Sequence, residues 1–393
     1  MKRKIAAHYL FTGKDKPLKN GIVTVDVTGK VLEVAQPSGL IDSIAGLEFY
    51  NGILVPGFVN THCHLEFSHL KSIIPEHTGL PGFISQIGKL RHIAEPELIK
   101  ASQKADIDMF YEGIVAVADI SNYNTSFGIK SKSKIKYHTL IEIFSLYPWL
   151  ANEKFREAQK LQEELSALNL TSSIVPHAPY SVTPEMFELI KNHSANQVIS
   201  MHNQETISEN DFYRVQKGEL AELFISIGLD LTGIKISGKN SLCSVMEYLH
   251  PHTKTLLVHN TYTTKEDIEK ASSYFSELYW TFCPNANRYI ENKLPDIPLF
   301  LEMGQKITLG TDSLASNHKL SVLEEMKTIQ SAFPAIDLEN LITWATINGA
   351  EALGISENKG SIEPGKTPGI NLISGLDLNQ LKLKPESKVK RLI

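Results

Sequence analysis

At 393 residues, 42% hydrophobic and 21% charged, with a net charge of −5, the chain has the balance of a globular protein with a large core rather than a disordered one. The charge and the lack of a Lys/Arg-rich tract give no reason to expect nucleic acid, and the basic start MKRK leads into no sustained apolar run, so neither a secretory signal nor a membrane partner is expected. Three distant cysteines, Cys63, Cys243 and Cys283, argue against a disulfide framework and for a cytoplasmic setting.

In chain order, "KIAAHYLF", "GIVTVDV" and "KVLEVA" read as short strands separated by turn-rich segments. From "LVPGFVN" the rhythm changes, and short apolar runs alternate with amphipathic ones. Eight runs read as strands: "GFVNTHCH", "GIVAVADI", "YHTLIEIF", "SSIVPHA", "QVISMHN", "TLLVHN", "LYWTFCP" and "KITLGTD". Helices are expected between them, at 98–111, 152–167, 184–193, 217–227 and 241–249, and Thr263-x-x-Glu266 has the spacing of a capping box before another. Eight β-then-α units predict an α/β fold, a (β/α)8 TIM-type barrel over 55–361. "DLENLITWATINGAEALG" reads as a last helix. The Gly/Pro punctuation and apolar run of "GSIEPGKTPGINLI" then point back to the N-terminal strands, so 1–54 plus 362–393 are expected to form a small composite β-sandwich domain.

Active sites of such barrels are built at the carboxyl ends of the strands. Polar residues fall there repeatedly: His62 and His64 on the first strand, Asp119 on the second, Glu142 on the third, His177 on the fourth, His202 on the fifth, His259 on the sixth and Asp312 on the eighth. Positions i and i+2 of a strand share a face, so His62 and His64 can both face the axis with Cys63 turned outward. Imidazoles and a carboxylate suit zinc or iron, and His62, His64, His202 and Asp312 would make a site for one divalent metal with room for water. A lone H-x-H is a weak signal; the joint placement at strand ends is what carries the expectation. His69, His77, His92, His138, His193, His250, His252 and His318 lack that placement, although His69 and His77 follow the first strand, and most of them are expected on the surface or in loops.

The stretches "PGFVNTHCH", "HNQE", "LVHN", "CPNAN" and "LGTDS" resemble the amidohydrolase superfamily, most closely its cytosine/guanine/adenosine-type deaminases, in order and spacing over nearly the whole chain. The resemblance implies metal ligation by His62, His64, His202 and Asp312, proton shuttling by Glu205 of the H-x-x-E pattern, and a His259 that orients or deprotonates the attacking water. It also implies a substrate contact at His177 in "PHAPYSV". The chemistry agrees, since a divalent metal lowers the pKa of water from 15.7 toward about 7, and a positioned acid can protonate a ring nitrogen and then the departing ammonia. No lysine ends the third or fourth strand, which favours one metal; Glu142 is read as a substrate contact, with bridging of two metals as the alternative.

For the substrate, "HCHLEFS" resembles the segment of aminodeoxyfutalosine deaminases and "PHAPYS" that of adenosyl-type deaminases, which implies an adenine-type nucleoside. Glu66 and Ser68 are candidate substrate contacts, Glu66 as an acceptor from ribose hydroxyls or else as a solvated loop residue. Phe67, Phe83 and Trp149 are candidates to stack on a base or to pack their loops. The expected partner is a small molecule, with a homodimer left open. Hydrolysis of a cyclic amide, a dehalogenating relative, and an inactive binding barrel are the alternatives; a retained Glu205 counts against the last.

Overall fold

A computed structural model describes residues 2–37, 44–90, 94–231 and 236–393. His92 lies outside them. All eight barrel strands form: Phe58–Cys63, Ile114–Ser121, Lys136–Ile143, Thr171–Pro176, Val198–Asn203, Lys254–His259, Leu278–Phe282 and Ile307–Leu309. They pair in parallel and in chain order as two four-stranded sheets. The sheets meet at two seams. His202 N–H donates to His177 O at 2.9 Å between the fourth and fifth strands, and Asp312 N–H donates to His62 O at 3.0 Å between the eighth and first. Both faces of these strands are buried, which is why they read as near-continuous Val, Ile, Leu and Ala runs. Helices such as Glu95–Tyr111, Ala151–Ala167 and Val322–Ala332 cover the outside. Among the described residues no helix is long and apolar enough to cross a membrane.

The chain ends meet in one seven-stranded sheet. Its order is Lys388–Arg391, Ile370–Ser374, Leu47–Pro56, Arg3–Leu10, Ile22–Val25 and Val31–Ala35, with Leu18–Lys19 paired to Arg3–Leu10. Alternate residues Ile5 and Ala7, Val23 and Val25, and Ile370 and Leu372 share its apolar core, the period of two expected of strands. Leu47–Pro56 runs directly into the first barrel strand through Gly57, where a Cβ would sit 2.2 Å from Val115 Cγ1; only glycine fits between sheet and barrel. Asn371 Nδ2 donates to Gly113 O at 2.9 Å and ties the tail to the start of the second barrel strand.

Three expectations need correcting. The capping box lies one residue later, at Thr264 and Asp267, at the start of helix Lys265–Tyr274. Thr263 instead donates its hydroxyl to Gln204 Oε1 at 2.7 Å. The last predicted helix is two, Leu338–Ala345 and Ile347–Ala352, because Thr346 donates its hydroxyl back to Ile342 O at 2.6 Å and leaves helical geometry. His138 is neither surface nor loop: it is buried on the third barrel strand, with Nε2 3.0 Å from Ser173 Oγ.

Candidate active site

The strand ends deliver their side chains to the floor of a 490 Å³ cavity. His62 and His64 converge as the period of two requires, with Nε2 atoms 3.2 Å apart, and His202 Nε2 lies 3.3 Å from His64 Nε2. Asp312 Oδ1 lies 3.4 Å from His64 Nε2 and 3.6 Å from His62 Nε2. Donors about 2.1 Å from one ion at tetrahedral angles sit about 3.4 Å from each other; His62, His64 and Asp312 have about that spacing and fit a divalent cation, with His202 beside His64. Cys63 packs into the apolar core and offers nothing to the site.

The electrostatics agree with ligation. Burial pushes His177 and His202 down to about 4 and holds His64 and His259 well below the ordinary imidazole value. Neutral rings present the lone pairs a metal needs. His202 is oriented by its Nδ1, which donates to His177 O at 2.8 Å and frees Nε2. Asp312 is oriented by Ser316, whose hydroxyl donates to Oδ2 at 2.5 Å.

Glu205 and His259 stand beside this donor set, with His259 Nε2 3.6 Å from Glu205 Oε2. Burial, reinforced by the carboxylates of Asp312, Glu291 and Glu209, raises Glu205 well above the ordinary carboxyl range. Asn287 of "CPNAN" donates to His259 Nδ1 at 3.4 Å, which puts the ring proton on Nε2, facing Glu205. The backbone is left-handed at Gln204, His259, Asn260 and Asp312, with φ of 46°, 74°, 58° and 56°. Such strain in residues other than glycine collects where a side chain must be aimed against local preference.

Glu142, His177, Phe67 and Phe83 line the cavity, as does Asn122, whose Nδ2 donates to Glu142 Oε2 at 3.1 Å. Glu142, His177 and His202 also gather within 4.8 Å. His202 Nδ1 donates to a carbonyl there and lies 3.4 Å from Glu142 Oε1, and His177 Nδ1 sits 2.7 Å from Ser181 Oγ. Glu66 and Ser68 do not line the cavity. Both are buried on the short helix Leu65–Leu70: the Ser68 hydroxyl donates to Leu65 O at 2.7 Å, and Glu66 Oε2 accepts from Asn122 N–H at 3.1 Å. Burial raises Glu66 to about 8. Trp149 is 75% exposed and away from the cavity wall. His69 Nδ1 lies 3.2 Å from Glu66 O, and His318 is exposed beside Glu76 at 3.3 Å.

Some residues that build the site carry no motif. Asp119, flagged at a strand end, accepts from Leu65 N–H at 2.8 Å and pairs at 2.6 Å with Lys130, both side chains fully buried. Glu325 accepts from Asn285 N–H at 2.9 Å and from Asn317 Nδ2 at 2.8 Å, tying the loops after the seventh and eighth strands together.

The Amidohydrolase family model matches residues 53–391. The chain belongs to that family. The family uses a divalent metal, and the histidine–aspartate cluster gathers residues that could hold one. It is 27% identical over 338 residues to the adenosine deaminase of Helicobacter pylori, covering 82% of this chain and 79% of that one. It is 26% identical over 343 residues to the aminodeoxyfutalosine deaminase of a Nitratiruptor species, with the same 82% and 79% coverage. The Helicobacter pylori aminofutalosine deaminase, solved with methylthio-coformycin, superposes over 100% of both chains with a TM-score of 0.81 at 23% identity, which shows the fold.

Proposed function

We propose that this protein is a deaminase of an adenine-type nucleoside, with one zinc or iron ion held by His62, His64, His202 and Asp312. The observation that carries the reading is Glu205 3.6 Å from His259 on the wall of a nucleoside-sized cavity, beside the clustered His62, His64, His202 and Asp312. A divalent ion bound there supplies acidified water and a Lewis acid. Glu205 donates its proton to the ring nitrogen next to the amino-bearing carbon, takes one from the hydroxyl added there, and passes it to the amino group, which leaves as ammonia. His259, with its proton on Nε2, steadies the oxygen that adds to that carbon. Glu142 and His177, on the wall beside the donors, contact the nucleoside. Glu66 acts one step back, by fixing the Asn122 backbone.

The substrate class follows from the walls. Phe83, Ile84 and Ile87 of helix Gly79–Leu90 face Leu223, Phe224 and Ile227 at the end of helix Glu219–Ser226. Among the described lining residues the only lysine or arginine is Lys89, on the exposed side of the rim. This supports a nucleoside with an apolar 5′ arm, such as the methylthio type, and disfavours 5′-phosphates. The three thiols are free and buried, which supports a reducing, cytoplasmic setting.

Ammonia release is measured on adenosine, 5′-methylthioadenosine, aminodeoxyfutalosine and adenosine 5′-phosphate. Turnover of a nucleoside with at least about 100-fold lower kcat/KM on the phosphate is expected. Glu205→Gln should keep one equivalent of metal and lose about 10²–10⁴ in kcat. No ammonia from any nucleoside, or a Glu205→Gln variant of near-normal rate, refutes the reading.

A further inference from the structure

We infer that Glu209 is the residue that positions Glu205, by clamping the backbone of the loop that carries it; this rests on the reading of Glu205 above. Thr206-x-x-Glu209 spells a capping box, and the ordinary expectation is that Glu209 bonds back to the Thr206 amide at the start of helix Ile207–Val215. This chain contains a true capping box for comparison: Asp267 Oδ2 accepts from Thr264 N–H at 3.0 Å and Thr264 Oγ1 accepts from Asp267 N–H at 3.3 Å. At Thr206 the pattern differs. The carboxylate of Glu209 reaches past the cap, Oε1 accepting from Gln204 N–H at 3.0 Å and Oε2 from Glu205 N–H at 3.3 Å. It therefore grips the two residues that precede the helix.

The grip is possible because Gln204 is left-handed, with φ 46°, so that two successive amides point the same way and form an anion-binding nest. Glu209 fills that nest with its side chain fully buried, where an ordinary helix-capping acid could stay in water. The Gln204 side chain is pinned separately, its Nε2 donating to Asn210 Oδ1 at 3.1 Å and to Asp267 Oδ2 at 3.0 Å. With both backbone amides and its neighbour fixed, Glu205 turns its carboxyl toward His259 and the cavity floor. Glu209 touches neither the cavity nor the metal donors; it acts through Glu205.

The test compares Glu209→Gln, Thr206→Ala and Glu205→Gln in the metal-loaded enzyme. Gln at 209 keeps the shape but turns an amide –NH2 toward a backbone N–H. A misplacement of an ångström costs about 10²-fold, so kcat of Glu209→Gln should fall about that much, with KM and metal content within about threefold of wild type. Thr206→Ala, which removes the helix cap and a hydrogen bond to Glu291 but leaves the Glu209 grip in place, should lower Tm and keep kcat within about threefold of wild type. Amide hydrogen exchange over 204–205 should speed up in Glu209→Gln and stay slow in Glu205→Gln, a readout that needs no substrate. A Glu209→Gln variant with unchanged exchange over 204–205, or one that loses Tm but keeps kcat while Glu205→Gln is inactive, overturns this inference alone. An active Glu205→Gln variant overturns the reading of Glu205 and this inference with it.

Discussion

Lys130→Met removes the cation of the most deeply buried ion pair under the site. Lys130 Nζ lies 2.6 Å from Asp119 Oδ2, and both side chains are fully buried. The ammonium also donates to Ser121 Oγ at 2.7 Å and Thr139 Oγ1 at 3.3 Å. Methionine fills the same space without charge, so Asp119 is left buried with the Leu65 amide at 2.8 Å and a long contact to Ser121 at 3.4 Å. Removing one partner of a buried pair costs about 3–5 kcal/mol, chiefly from the stranded charge. With about 2.1 cal/mol/K of unfolding entropy per residue, a chain of this length has about 0.8 kcal/mol/K, so the midpoint should fall by about 4–6 °C. Thermal unfolding of the metal-saturated protein, followed by circular dichroism, measures it. The double variant Asp119→Asn/Lys130→Met removes the charge itself while Asn keeps an acceptor for Leu65 N–H, and should recover much of the loss. A shift under about 1 °C for Lys130→Met, or a double variant no more stable than the sum of the singles, would refute the stranded-charge argument.

Two further outcomes follow from the geometry. Ser316→Ala deletes the hydroxyl that orients Asp312 and should weaken metal retention about 10–100-fold in a chelator competition, with the fold intact. Glu363 is held down to about 2 from an ordinary 4.5, first by Lys366 at 2.8 Å, then by Ser361 and Lys14. A depressed folded pKa stabilises above the unfolded value, so its contribution is present above pH 4.5 and is lost as pH falls toward 2. Wild type and Lys366→Met should therefore differ in Tm at neutral pH and converge in acid; a constant gap across that window would exclude the linkage.

The barrel and the histidine–aspartate cluster were legible because two regularities overlap. A fully buried parallel strand must be an apolar run, and a site at its carboxyl end must interrupt that run with a residue able to bind or titrate; "LVHN" and "VISMHN" show both in a few letters. The misses come from places where the period is broken. Strand Leu47–Pro56 contains Asn51-Gly52, which reads as a turn, yet Gly52 at φ 146° sits within the strand beside a register shift opposite Ala7 and Tyr9. "TTKED" offers two capping registers with the same residue classes, and only packing selects Thr264 with Asp267. Glu66 follows the metal strand in a short helical turn, where alternation no longer tells which way a side chain faces, and it turns under the cavity instead of into it.

A different physical reason hides the residues that hold the site in shape. The loops at the strand ends are gripped from beneath by buried acids that accept backbone amides: Asp119 from Leu65, Glu66 from Asn122, Glu209 from Gln204 and Glu205, and Glu325 from Asn285. A loop that leaves a strand to enter a helix has amides with no ladder partner, and burial of the rim denies them water. The carbonyl and carboxyl oxygens of an acid satisfy such amides beside the left-handed turns that aim Glu205, His259 and Asp312. In the sequence these acids have the letters and spacing of surface residues, because nothing local marks a carboxylate as buried. Their role becomes visible only when the amides they accept from are known, and it separates two kinds of acid in one site: Glu205, which lines the cavity, and those that hold the loops from beneath.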